Sequence, residues 1–244
     1  MPTVEGAGVP LAYEERGAGP PVLLVHDLAS DAAAHRPVAE ALAPAARVVA
    51  YDRRGYGASG APEPYEGTTA EEQAEDAAAL LRALDAAPAL VAGEGFGALI
   101  ALDLMKRHGG LVRAAVLSDP ALFALVPEAT EVLSLQRRQI EEAVRERGAE
   151  AGVDAWLGDG ADPAVRARVR AAYRAFYADY AGLATWSVTR RELRGLAQPA
   201  VVLTGPASPP HVVAAADALA RLLPAATRAT DGDVAAAARA LGAR

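Results

Sequence analysis

The chain has 244 residues, 52% of them apolar and 5% aromatic, with a formal net charge of −7 and no cysteine. That length suits one large domain, or one domain carrying an insertion, and the negative charge with few aromatics excludes a surface built to hold a phosphate backbone or to stack bases. Lack of cysteine removes disulfides, thiolate metal sites and a cysteine nucleophile together; with no leader-like opening and no apolar run of bilayer length, a bacterial-type soluble, cytoplasmic protein is expected.

Thr3-Val4 and Leu11-Ala12-Tyr13, separated by the turn Glu5-Gly6-Ala7-Gly8, read as a two-strand antiparallel entry. Val22-Leu23-Leu24-Val25-His26 is a continuous apolar run, the pattern of a strand covered on both faces. A polar loop from Asp27 to Ser30 precedes a predicted helix over 31–42, and Arg47 to Tyr51 predicts a strand that ends in the glycine-rich loop Asp52 to Gly60. Thr69 and Glu72 predict a capping box, followed by Ala77, Leu81 and Leu84 at helical spacing. The strand Ala89 to Ala92 turns through Gly93-Glu94-Gly95-Phe96-Gly97 into a helix predicted over 98–108. Ala114 to Leu117 is the next buried strand, closed by Ser118-Asp119-Pro120. From about 121 to 196 the pattern is helical and charged, and it holds most of the aromatic residues. Strand character returns at Ala200 to Leu203, followed by a helix over 211–223, a weak strand near 227–230 and a last helix after Asp233. Strands and helices that alternate, interrupted once, predict an α/β fold. Its mostly parallel, doubly wound sheet comes from residues 1–120 and 197–244, with a helical lid inserted over 121–196.

In this order and spacing, several segments resemble the α/β-hydrolase fold superfamily over nearly the whole chain. They are the strand ending in His26, the Asp52-Arg53-Arg54-Gly55-Tyr56-Gly57-Ala58-Ser59 loop, the Gly93 to Gly97 turn, Ser118-Asp119-Pro120, the helical block and the last strand pair. The resemblance implies a strained strand-to-helix turn of the form G-x-S-x-G that presents a serine nucleophile. Gly93 and Gly97 keep the flanking positions, but Gly95 stands where the serine belongs. It also implies a histidine base after the last strand, where this chain has Asp231-Gly232-Asp233. The acid loop after the preceding strand, Gly205 to Pro210, has neither Asp nor Glu, while Asp119 occupies a place that some members use for the acid. This degenerate triad, with Gly95 for Ser and Asp233 for His, leads us to expect no Ser-His-Asp ester hydrolysis.

The family's His-Gly at the end of the third strand is His26-Asp27 here. The backbone N–H groups of Leu28 and Phe96 are expected to point at a common spot, which makes Leu28, Gly95 and Phe96 the expected substrate-binding positions. A carboxylate at Asp27 would oppose an oxyanion there, by about 4 kcal/mol for charges 4 Å apart at an effective dielectric of roughly 20. Loss of the serine side chain is expected to enlarge the pocket floor, with Asp27, His26, Glu94, His211 and Asp119 as candidate acid–base groups. A structural role stands beside each: His26 as a hydrogen-bonded buried histidine, Asp27 as a loop cap, Glu94 as a polar support, Asp119 as a common strand-end residue, His211 as surface decoration. His35 and His108 read as peripheral, and Ser30, Ser59, Ser118 and Ser208 lack an evident paired base. No cofactor is expected; the glycines at 93, 95 and 97 miss the third glycine of a dinucleotide fingerprint at Ala98. No metal is expected either, because His26, Asp27, Asp119 and His211 lack local ligand spacing.

Three accounts of function follow from these residues. The first is a protein acting on or binding a small apolar carbonyl or ester-like molecule by non-covalent acid–base chemistry. The second is a non-catalytic, ligand-binding pseudoenzyme, and the third a hydrolase with a non-standard nucleophile or an activated water. The expected partner is a small-molecule ligand or substrate, with neither nucleic acid nor membrane; a homodimer is the assembly considered.

Overall fold

Continuous apolar runs become the central strands of one eight-stranded sheet. In this computed structural model, which describes residues 1–127 and 129–243, the elements in chain order begin with β1 (Thr3–Glu5), β2 (Pro10–Arg16), β3 (Pro21–Val25), α1 (Arg36–Leu42), β4 (Arg47–Tyr51), α2 (Ala70–Ala83), β5 (Ala89–Glu94), α3 (Phe96–Arg107) and β6 (Val112–Ser118). A helical stretch follows, with α4 (Ala129–Arg147), α5 (Ala149–Leu157), α6 (Pro163–Ala171), α7 (Tyr173–Thr185) and α8 (Arg190–Arg194). The chain then returns to the sheet as β7 (Ala200–Leu203), α9 (Pro210–Leu222), β8 (Ala226–Ala229) and α10 (Val234–Ala240). Glu128, in the expected lid, and Arg244, at the end of the expected core, lie outside the described residues.

The strand order is β1-β2-β4-β3-β5-β6-β7-β8. The β1–β2 pair is antiparallel, as the entry turn predicts; β2–β4 is antiparallel as well, and the pairs from β4–β3 to β7–β8 are parallel. Strand periodicity sorts the side chains. Leu23, Val25, Val49, Val91, Ala115 and Leu117 face the layer that holds α2 and α3. Val22, Leu24, Val48, Leu90, Ala92 and Val116 face α1 and α10. Each fully buried Leu or Val in these layers contributes about 1.5–3 kcal/mol over its exposed state. Among the described residues, no helix is long and apolar enough to cross a membrane.

Three local expectations need correction. The predicted helix over 31–42 starts as a 3-10 turn, Ala32–His35, because Pro37 lies at the start of α1 and fixes the α-helical onset there. His35 is buried rather than peripheral, and burial pushes its pKa down to about 4. The capping box at α2 is half made. Thr69 Oγ1 accepts the Glu72 N–H at 3.0 Å, but the Glu72 carboxylate accepts the Thr68 hydroxyl at 2.8 Å and pairs with Arg54.

The glycine-rich loop after β4 ties the layers together. Arg53 is 1% exposed, and its guanidinium meets Asp179 of α7, 0% exposed, at 2.6 Å. It also donates to Gln73 of α2 at 2.5 Å and to the His26 and Asp27 carbonyls at 3.0 Å each. Asp179 in turn accepts from the Tyr56 hydroxyl at 2.8 Å and from the Gln73 amide at 2.6 Å. A buried pair of this kind is costly to break from one side, since the survivor is left charged and dry. We therefore expect Asp179→Leu to lose about 3–5 kcal/mol of unfolding free energy. Arg53→Met/Asp179→Leu should recover most of that loss. Urea denaturation checks both, and a single-variant loss below about 1 kcal/mol would contradict the network.

Candidate functional site

The parallel strands end at one edge, and that is where an open α/β sheet gathers its ligand chemistry. Asp27 follows β3, Glu94 ends β5, Asp119 follows β6 and Ser208 lies in the loop after β7. Register puts neighbours side by side: Val25 pairs with Gly93, and Glu94 with Ser118.

The turn from β5 to α3 is built around Gly95. Its φ of +54° and ψ of −113° lie in a region that side chains rarely enter. The helix begins at Phe96, two residues earlier than predicted, because Gly95 absorbs the whole change of direction. At Gly97 a Cβ would strike the Val25 carbonyl, so only glycine lets α3 come this close to β3.

A Cβ added at Gly95 would fall inside the Asp27 carboxylate. The floor is therefore not enlarged by the missing side chain, as the sequence led us to expect; Asp27 fills it. Asp27 Oδ1 accepts the Phe96 N–H at 2.6 Å, and the Leu28 N–H lies close enough to favour the ionised form. The Phe96 N–H, one of the two expected to face a common spot, is thus taken by a side-chain carboxylate of the chain itself.

The electrostatics follow from this crowding. Burial pushes the Asp27 carboxyl up from 3.8 to about 6, against the pull of the two N–H donors. Glu94 is accessible to solvent yet walled in by protein on most sides. Desolvation, then the charges of Asp27 and Asp119, push it up from 4.5 to about 7. Among the described residues no group of three or more His, Cys, Asp or Glu could hold a metal ion.

His26 is wholly buried, and both its ring nitrogens are engaged. Nε2 must accept the Arg53 N–H at 3.0 Å, so Nδ1 carries the proton and donates to the Asp27 carbonyl at 2.8 Å. Burial, aided by Arg53, holds its pKa well below the usual imidazole range, and the neutral ring fixes the Asp27 backbone instead of exchanging protons. Phe96 is also fully buried, with its ring 5.4 Å from the Arg53 guanidinium, so only its N–H faces the site. His211 is at the start of α9 with its ring 5.4 Å from Phe123. Asp233 is exposed and caps α10 by accepting the Ala236 N–H at 2.8 Å.

Sequence reading missed three partners. Arg53 and Asp179 are 126 positions apart, and only the fold brings them together. Ser208 does have a paired carboxylate: its hydroxyl donates to Asp119 Oδ1 at 2.6 Å. Ser208 Oγ also accepts the Gly205 N–H at 2.8 Å, which commits the hydroxyl to its own loop, while its bond to Asp119 ties the ends of β6 and β7 together. Asp119 holds this position at φ +43°, a conformation that aspartate tolerates better than most side chains.

Two expectations test the crowding. Gly95→Ala should cost about 2–4 kcal/mol, from overpacking plus the left-handed backbone. Much of that should vanish in Asp27→Gly/Gly95→Ala, with a coupling of at least about 1 kcal/mol in a double-mutant cycle; additive losses would exclude the shared volume. For pH, both folded-state carboxyl pKa values are raised, so the native chain keeps protons that the unfolded chain has released. Their stabilisation is complete below about pH 4 and is lost as pH rises through about 6 and 7. Glu94→Gln and Asp27→Asn should flatten this part of the thermal-stability profile, and an unchanged slope in both would count against the shifts.

A family model described as alpha/beta hydrolase fold matches residues 20–162. An uncharacterized hydrolase, YraK, of Bacillus subtilis is 39% identical over 124 residues, 51% of this chain and 46% of that protein. A 2-(acetamidomethylene)succinate hydrolase of Mesorhizobium japonicum is 28% identical over 195 residues, 77% of this chain and 67% of that protein. The chain thus spans less than half the length of the first of these relatives. Among solved structures, an alpha/beta hydrolase from Sphaerobacter thermophilus superposes with a TM-score of 0.77 at 27% identity, covering 99% of both chains. The enol-lactonase from Burkholderia xenovorans gives 0.74 at 27% identity, covering 94% of this chain and 90% of its own. With the family model matching more than half of its length over this sheet and turn, the chain belongs to the α/β-hydrolase fold family.

Proposed function

We propose that this member of the family binds a small apolar carbonyl or ester-like molecule and does not pass through an acyl-enzyme. The observation that carries the reading is the Asp27 carboxylate, seated over Gly95 and accepting the Phe96 N–H. An acyl-transfer enzyme needs that volume for its nucleophile and those N–H groups for a developing oxyanion. Here an anion belonging to the protein already holds both. The residue at the base position agrees with it, since Asp233 spends its carboxylate on a helix cap, and Ser208, whose hydroxyl meets Asp119, is tied into a loop.

Binding has a place. A cavity of about 880 Å³ lies between the helical stretch, read as a lid, and the core, with Leu99, Leu122, Trp156, Tyr180, Leu183 and Trp186 in its wall. Its volume and apolar lining suit a drug-sized ligand. It adjoins the turn, since Ala121, also in the wall, donates its N–H to the Gly95 carbonyl at 3.4 Å. Asp27, Glu94 and Asp119 are outside the wall, so a ligand there is held by apolar contact and not by the carboxyl groups.

One observation favours a second reading, acid–base chemistry without a covalent intermediate. Carboxyl groups at about 6 and about 7 on neighbouring strand ends provide one base and one acid near neutrality. That reading expects a turnover that falls with both Asp27→Asn and Glu94→Gln.

Purified protein mixed with p-nitrophenyl acetate and butyrate should release p-nitrophenol no faster than buffer. A stoichiometric burst, or release that a serine-directed phosphonate abolishes, would overturn the proposal.

A further inference from the structure

The wall of the cavity is chemically lopsided. Most of it is aromatic and aliphatic, Ile140 of α4 included, and beside those apolar residues α4 carries a polar stripe: Thr130, Ser134, Arg137, Glu141 and Arg145. Spacings of four, three, four and four keep these residues on one helix face. Arg137 is 69% exposed; its Nε meets Glu141 Oε1 at 2.7 Å, and its charge is felt by the Tyr180 hydroxyl across the cavity. Arg145 is 72% exposed and 3.5 Å from Glu142, which is not in the wall. The wall therefore carries two guanidinium groups against one carboxylate, in a chain whose net charge is −7.

Resting on the ligand-binding reading above, we infer that the natural ligand is an apolar monocarboxylate. Its hydrocarbon body would lie against Trp156, Tyr180 and Trp186, and its carboxylate would meet Arg137 at the α4 rim. A guanidinium accepts a carboxylate through two parallel N–H bonds, which fixes the head while the body stays interchangeable. The resident Glu141 partner is an exposed i,i+4 contact of small worth, so an incoming carboxylate can replace it at little cost. A neutral ligand would gain nothing from Arg137, and a cationic one would face two like charges.

The chain reports its own occupancy. It has two tryptophans, Trp156 and Trp186, and both line this cavity. Titration with decanoate and with decan-1-ol at pH 8, below micelle formation, should quench or shift tryptophan emission saturably for both. Decanoate should bind about fivefold more tightly at low salt, the scale of an exposed ion pair, and the margin should shrink at 0.5 M NaCl. Arg137→Gln should remove the margin between decanoate and decan-1-ol; in wild-type protein the salt dependence gives the same information should that variant fold poorly. Equal affinity for acid and alcohol would overturn the carboxylate assignment and leave the binding site standing. No saturable response to either would overturn the binding site itself.

Discussion

Position 95 and the Asp27 carboxylate compete for a single volume, and the chain resolves the competition by giving position 95 no side chain. Much of the site follows from that. With the carboxylate seated, the Phe96 N–H at the start of α3 is satisfied internally, by a charged acceptor, at 2.6 Å. Burial and the N–H donors pull the carboxyl in opposite directions and leave it near 6, so at neutrality it is mostly ionised and mostly held. The charge so fixed is one of the causes that lift Glu94 on the neighbouring strand. Any side chain at 95 would need the space that Asp27 occupies, so the glycine at 95 and the aspartate at 27 depend on one another.

What keeps Asp27 in place is a guanidinium that does not touch its carboxylate. Arg53 donates to the carbonyls of His26 and Asp27, and the His26 ring donates to the Asp27 carbonyl as well. The backbone at 27 is thus pinned from two sides. The same guanidinium reaches α7 through Asp179 and α2 through Gln73. The planar five-donor fork of arginine suits such a hub; lysine could not serve four acceptors in these directions.

The apolar runs made the central strands legible from the residues alone, because a strand covered on both faces has no alternation to misread. Their termini were less so. α3 starts at Phe96 because Gly95 takes the full turn, which no local propensity announces. Glu72 sits at the right spacing to close a capping box, yet the Thr68 hydroxyl and Arg54 outcompete the backbone for it. At the site, the space at Gly95 could be read directly, and so could the odd carboxylate at 27. That the second fills the first could not, because residues 27 and 95 meet only through the pairing of β3 with β5. The Arg53–Asp179 bond was beyond reach for a related reason. Its two ends look like a loop arginine and a solvated helix carboxylate until α7 is laid on the core.

The two sides of the apolar cavity are not fastened alike. α7 is riveted at its centre by a desolvated ion pair with further donors around it. α4 has only Ala129, Ile140 and Ala143 buried, and it leaves Val132 and Leu135 open to water. Segments with little buried apolar surface detach at lower free energy than those joined to the core. α4 is therefore the wall of the cavity that takes the least free energy to loosen, while α7 is held to the core by its buried pair.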